Sequence, residues 1–499
     1  MTAAPEKQTS TPARVCGVAL WLLLAGYLLF NKPFATLGIA PVFVGEVVFA
    51  AALGAGLLRW RETFLEPLRN SWGFRILGAL WVYAVIHALW GAMTYGILAF
   101  RDGAMIGYGL LAFLAPALWR ELSKFRGDAQ SLAAHVAGWL LPLGLLAVIA
   151  SAGVLFGWWP HSFNARVKVD FAAVAGAAGA WISLVAGLKW AAVGGYYSRA
   201  RGRDRVYRWV LVAFYFVFAL WAWSLVFRLP TRAVFVSFVP LALLLIAARL
   251  NSVRLRIAGA IALAMLIGAT LFLARERLAS MESYTDRFAL NQHLNLPLHD
   301  LEARTARALA GDLSGVPEDI RTRFELLLPA HDQALAKGPN FGEHSLRWRM
   351  VFWLRCWNYT LANAPVTGLG FGGNMTALML PTRAWPDYVH SQQMTPPNRS
   401  PHGVHIHIFT RLGLLGTALW FALLALTMNA ALRALWHWRT PGDRPAREAF
   451  YDTLTVLGFW IVLLCAASFG VIIEGPFGGM WFWALTGVLL SLQRSIPEA

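Results

Sequence analysis

Apolar residues in this chain fall in long unbroken runs, without the short alternation of a half-buried strand. The runs cover residues 15–30, 39–58, 74–95, 104–119, 132–157, 171–193, 208–227, 233–249, 255–274, 404–428, 450–471 and 476–493. Most approach the ~20 residues a helix needs to cross bilayer hydrocarbon, so the pattern predicts about twelve transmembrane helices. Pro41 interrupts the second run, where two interfacial pieces are an alternative, and the eighth is short. Residues 1–14 are polar, with Lys7 and Arg14 ahead of the first run. That resembles a signal peptide, but the many spans that follow favour an uncleaved first helix.

Polar positions dominate only once at length, across residues 275–403. LPLHDLEARTARALAGDL and VPEDIRTRFELLLPAHDQALA each open on a Pro or acidic helix-start signal, and predict two helices that pack as a hairpin over a cavity. After Gly338 the stretch is punctuated by Pro and Gly, and PTRAWPDYVHSQQMTPPNRSPHG reads as an irregular loop. The expected organisation is therefore nine spans in 1–274, a large, mainly helical loop in 275–403, and three spans in 404–499. The fold class is an all-α polytopic membrane protein.

Charge orients these elements. Arg59, Arg61 and Arg69 follow the second run; Arg120, Lys124 and Arg126 the fourth; Arg199, Arg201, Arg203, Arg205 and Arg208 the sixth; Arg249, Arg254 and Arg256 the eighth; Arg433, Arg439, Arg444 and Arg447 the tenth. Every second loop is thus basic, which predicts that these loops and both termini are cytoplasmic and that the 275–403 loop lies on the outer side. The composition agrees: 58% of residues are hydrophobic and only 14% charged, against ~25% charged in a soluble globule. The net charge of +17 sits in separate clusters with no continuous stripe. It therefore points to anionic lipid and not to nucleic acid. Cys16, Cys356 and Cys465 are too few and scattered for a disulfide framework or a metal site.

Some cations depart from the orientation pattern. Arg101, Arg166, Lys168, Arg228 and Arg232 lie in outer loops that are otherwise poor in charge. Each could pair singly with Asp102, Asp170 or a lipid phosphate. Taken with Arg347, Arg349 and Arg355 of the large loop, they suggest an electropositive outer cavity, because the planar guanidinium fork suits phosphate oxygens. The stretch PHGVHIHIFTRLGLLG, residues 401–416, places His402, His405 and His407 where an apolar run begins. Ionisable groups there mark function by default. His402 and His405 share a helix face but His407 does not, and no Cys, Asp or Glu lies nearby to complete a tetrahedral set, so no metal is expected. One imidazole then serves as a general base, and His405 and His407 read as packing residues. A base beside several arginines suits attack by a hydroxyl on a carbon whose leaving group is a diphosphate. Gly368, Gly370, Gly372 and Gly373 in GLGFGGN are a weak phosphate-loop signal, and a tight turn is the competing reading.

His402-Gly403, followed after nine residues by Gly413 and then by Gly416, resembles the signature of the O-antigen ligases. Arg349 through Trp353 and then NAPVTGLGFGG is similar to that superfamily's R-x-x-x-W and glycine segment, and Pro230-Thr231-Arg232-Ala233 to its Ser-Arg-Gly start of a span. Two positions depart: Gly403 replaces an amide or hydroxyl residue, and Arg411 stands where an acidic residue is common. The resemblance implies a GT-C-like glycosyltransferase in the bacterial inner membrane, with its active site facing the periplasm. It would transfer a glycan from undecaprenyl diphosphate to a sugar of the lipid A-core, with inversion and with neither metal nor other cofactor. His402 would be the base, and Arg232 and Arg349 would bind the diphosphate, with Arg347, Arg166 and Arg101 as further cations. Gly413 and Gly416 are the motif's structural glycines. The expected partners are the lipid-linked donor, the lipid A-core acceptor and membrane lipid, with no nucleic acid; a monomer is the simplest expectation. O-antigen polymerases and protein O-oligosaccharyltransferases share the pattern. A flippase or exporter of lipid-linked sugars would need broken helices in paired positions, which the sequence does not display.

Overall fold

Within hydrocarbon a backbone N–H or C=O has no water to bond, so an apolar run can satisfy itself only as a helix. The computed structural model describes residues 11–39, 42–122, 129–159, 169–193, 202–228, 236–249, 341–375, 378, 400–439 and 444–495, with isolated positions between 300 and 318. The helices are α1 (Thr11–Ala35), α2 (Val44–Leu58), α3 (Trp72–Tyr95), α4 (Ile97–Leu122), α5 (Ala129–Leu155), α6 (Val169–Val193), α7 (Gly202–Arg228), α8 (Phe238–Arg249), α9 (Phe341–Asn363), α10 (Val404–His437), α11 (Arg444–Ser468) and α12 (Pro476–Ser491). Strand structure among the described residues is one two-residue antiparallel pairing, Gly38–Ile39 with Val42–Phe43. Among the described residues, eight helices (α1, α3 to α7, α10 and α11) are long and apolar enough to cross a membrane. The chain is an all-α polytopic membrane protein.

Of the twelve expected spans, α2, α8 and α12 are shorter helices of 15, 12 and 16 residues. The run 255–274 and most of the 275–403 loop lie outside the described residues.

The chain forms two compact units. The first comprises residues 1–79, 105–256 and 421–499. Lipid tails are as apolar as leucine, so helices here associate by close packing and by polar contacts, with small residues at the interfaces. The alanine-rich face of α6 is buried from Phe171 to Ile182. Gly458 on α11 sits under the Trp181 indole of α6, and Trp181 Nε1 donates to the Leu454 carbonyl at 3.1 Å. On α12, Trp481 Nε1 donates to Leu24 O at 2.8 Å and Trp483 Nε1 to Met105 O at 2.7 Å. A buried indole needs such a partner, and each of these also ties one helix to another. Arg59 anchors the end of α2 to α4 through Glu121 at 2.9 Å and also pairs with Glu62. These two carboxylates raise its pKa further against the opposing effect of burial.

The second unit comprises residues 80–104 and 257–420. Its described parts are the later turns of α3, the start of α4, all of α9, the glycine segment 364–375 and residues 400–420.

Among the described residues two helices break, where the sequence displayed no broken helices in paired positions. In α1, Asn31 takes φ 58° and ψ −133° just before Lys32 and Pro33. In α10, Gly413 takes φ 63° and ψ −162°, a region open essentially to glycine alone. The break divides α10 into a nine-residue segment, 404–412, and a remaining segment, 414–437, long enough to span a bilayer by itself.

Candidate functional site

The break at Gly413 exposes backbone groups that must be satisfied, and the glycine segment after α9 satisfies them. Leu414 N donates to Pro365 O at 2.8 Å and Leu415 N to Val366 O at 3.2 Å. In return Leu369 N donates to Thr410 O at 2.8 Å and Gly370 N to Arg411 O at 3.0 Å. Gly368 must approach this closely: it has φ 76°, and a Cβ there would strike the backbone of Arg411 and Gly413. The Tyr83 hydroxyl of α3 contacts the carbonyls of Thr367 and Leu412, both at 3.3 Å. Gly416 is also constrained, because the break folds Leu412 over it where a Cβ would stand.

A buried ion pair fastens the same turn. Arg411 is fully buried, and its Nη2 lies 2.5 Å from Oδ2 of Asp102, whose side chain is 4% exposed. Arg411 also donates from Nη1 to Gly370 O at 3.0 Å and from Nη2 to Gly373 O at 2.9 Å. Asp102 accepts from Gly372 N at 2.9 Å. The amides of Gly368, Gly370 and Gly372 and the carbonyls of Gly370 and Gly373 are therefore engaged within the protein, and GLGFGG is a tight turn, not a phosphate cradle. Arg411, which stands where an acidic residue is common in the family that the chain resembles, has its charge cancelled. Asp102, a candidate partner for Arg101, is taken by Arg411, while Arg101 itself is exposed.

The three histidines separate. His402 precedes α10 with a left-handed φ of 58°, and its N–H donates to Ser400 Oγ at 3.0 Å. Histidine tolerates that region better than most residues, yet a non-glycine residue held there is characteristic of functional positions. His405 Nδ1 accepts from Trp420 Nε1 at 3.1 Å. His407 is 2% exposed, with Nε2 3.9 Å from Asp102 Oδ1. His405 and His407 are thus held inside α10, as packing residues would be, and only His402 stands outside the helix.

Helix α9 packs along this segment. Its Trp357 ring stacks on Phe409 with centroids 4.2 Å apart, and Trp353 Nε1 donates to Pro401 O at 2.5 Å. Arg349 lies one turn before Trp353 and so shares the face that meets the residue before His402. Arg355, grouped with the outer-face cations by sequence, is 4% exposed. Burial pulls its pKa down to about 10, so it stays charged at neutral pH but is not free for a ligand. Burial also pushes the Cys356 thiol up to about 12. Arg347 belongs to α9, and nothing is described of its side chain; Arg166 and Arg232 lie outside the described residues. No group of three or more His, Cys, Asp or Glu among the described residues could hold a metal ion. Sequence reasoning did not assign Asp102 to this site. An arginine within an apolar run demands a counter-charge, and that was the available signal.

Residues 217–421 match the family described as O-antigen ligase. The matched stretch contains Arg232, Arg347, Arg349, His402, Gly413 and Gly416, while Arg101 and Arg166 precede it. No curated protein matches the chain.

Proposed function

Because the chain is a member of the O-antigen ligase/polymerase superfamily through residues 217–421, we propose that it is the ligase. In this reading it moves an O-antigen glycan from undecaprenyl diphosphate to a sugar hydroxyl of the lipid A-core on the periplasmic face of the inner membrane. His402 takes the proton of the attacking hydroxyl as the new glycosidic bond forms at the anomeric carbon with inversion. Arg349 and Arg232 hold the diphosphate and stabilise the charge that grows on its departing oxygen. Arg347, Arg166 and Arg101 add to the field that draws the donor in. Members of the superfamily are glycosyltransferase-like enzymes, and the reaction needs no metal or nucleotide. Both substrates carry lipid tails, so they reach the site sideways through gaps between spans.

One observation carries the reading. The Trp353–Pro401 hydrogen bond joins the helix of Arg349 to the residue that precedes His402, so a candidate base and a candidate diphosphate ligand belong to one locality. The break at Gly413 argues against a transporter. In transporters unwound backbone lines the substrate cavity, whereas here the glycine turn occupies those backbone groups.

The test is reconstitution of the purified chain with undecaprenyl-diphosphate-linked glycan and, separately, lipid A-core, free repeat unit and a Ser-bearing protein. Transfer to lipid A-core is expected. Transfer to free repeat unit or to protein instead would make the chain a polymerase or a protein glycosyltransferase, and no transfer to any acceptor would refute the enzymatic reading.

A further inference from the structure

A second polar feature lies in the first unit, apart from the site above. The start of α5, the end of α6 and the start of α11 surround a cavity of about 330 Å³, within the range of small-ligand pockets. Its apolar wall is made by small residues, among them Ala134, Ala137 and Gly138 on α5 and Ala186 on α6. Its polar floor is an ion pair: Lys189 Nζ lies 2.5 Å from Asp452 Oδ1, with the lysine 33% and the aspartate 5% exposed. Glu448 lines the cavity one turn before Asp452 and is itself 2.9 Å from Arg444 Nε. The three helix ends adjoin the basic loops that contain Arg126, Arg199 and Arg439.

We infer that this cavity binds the headgroup of a zwitterionic phospholipid bearing a primary amine. Three observations select that chemistry. The lining presents an ammonium beside two carboxylates, the reverse image of a headgroup that carries a phosphate next to an ammonium. An anionic headgroup without an amine would bring one more negative charge beside Asp452 and Glu448, where Lys189 and Arg444 are already engaged by those carboxylates. A trimethylated amine offers no N–H for those carboxylates, and it is usually held by a cage of aromatic faces. Among the described residues, Trp190 is the only aromatic one in the lining. Small side chains on α5 leave the apolar wall open for the first part of an acyl chain. The basic loops outside gather anionic lipid nonspecifically, and the paired charges within the cavity choose against it.

Native mass spectrometry of the purified full chain tests this, with three lipids of identical acyl chains offered in equal amounts: phosphatidylethanolamine, phosphatidylcholine and phosphatidylglycerol. Phosphatidylethanolamine is expected to be retained about tenfold or more over both others, as loss of charge-assisted hydrogen bonds predicts. Gly138→Phe should abolish the preference with the ion pair intact, because a Cβ at Gly138 meets nothing within 4 Å and the ring can fill the cavity. Lys189→Met combined with Asp452→Asn provides a second variant, which removes the phosphate's partner without stranding a buried carboxylate; it should reduce the preference as well. Equal retention of the three lipids, preference for phosphatidylglycerol, or an unchanged preference in both variants would overturn the assignment.

Discussion

The Asp102–Arg411 pair gives the sharpest test of how the site is held. Asp102→Asn keeps the shape and an acceptor for Gly372 N–H but takes from a fully buried guanidinium the carboxylate 2.5 Å from its Nη2. Removing one member of a buried ion pair typically costs about 3–5 kcal/mol, since the remaining charge stays uncompensated. At roughly 2–4 °C per kcal/mol for a cooperative unit of ~150–250 residues, the melting temperature should fall by roughly 6–20 °C. Arg411→Met alone should cost a similar amount by stranding the carboxylate. The double variant removes both charges and leaves mainly the Gly370 and Gly373 carbonyls without donors, at about 1–3 kcal/mol for each unsatisfied group. It should therefore be less destabilised than the sum of the singles, by roughly 4 kcal/mol at the midpoints of these ranges. The assay is thermal unfolding of purified protein in one detergent at one scan rate, because unfolding of such a chain is a rate process. Additive effects, or single variants that melt with the wild type, would refute the claim that this pair fastens the glycine turn.

Gly413→Ala places a Cβ against the Val366 carbonyl at a φ of 63°. The backbone strain alone costs ~1–3 kcal/mol, and transfer activity should fall at least tenfold; wild-type activity in this variant would deny that the break is needed. His402→Ala should abolish transfer while melting within a few degrees of wild type, whereas His405→Ala and His407→Ala should keep most activity per folded molecule; the reverse ranking in a glycan-transfer gel would remove His402 as base. Arg349→Lys replaces a bidentate fork by a point charge and should raise the KM for the lipid-diphosphate donor by about tenfold or more, with the acceptor KM unmoved; an unchanged donor KM would end its assignment to phosphate. Cys356 has a thiol pushed up to about 12 by burial. With Cys16 and Cys465 replaced by serine, it should resist maleimide at pH 8 until the protein is denatured, because only the thiolate reacts; rapid labelling of the native protein would contradict the packing of α9 on α10.

The helices were legible because lipid leaves an apolar run no other structure, and that requirement acts locally. The break within α10 was not, because the hydrophobic pattern runs through RLGLLG without a gap. What stops the helix is a partner sequence, PVTGLGFGG, whose backbone replaces the lost hydrogen bonds. Two glycine motifs that looked like separate signals are thus the two halves of one joint: Gly368 allows the turn to approach, and Gly413 allows the helix to receive it. The charges were misgrouped for a similar reason. Sequence gives their sign and order but not their pairing, so Arg355 was counted among the outer-face cations although the fold buries it, as it buries Arg411. Removal of Arg355 from that set leaves Arg349 and Arg101 as the proposed diphosphate contacts whose side chains are described. In the proposed reaction Arg349 is tied to the His402 segment by α9 and the Trp353 hydrogen bond, so the stiffness of that helix, more than the charge of the whole face, would set the geometry for transfer.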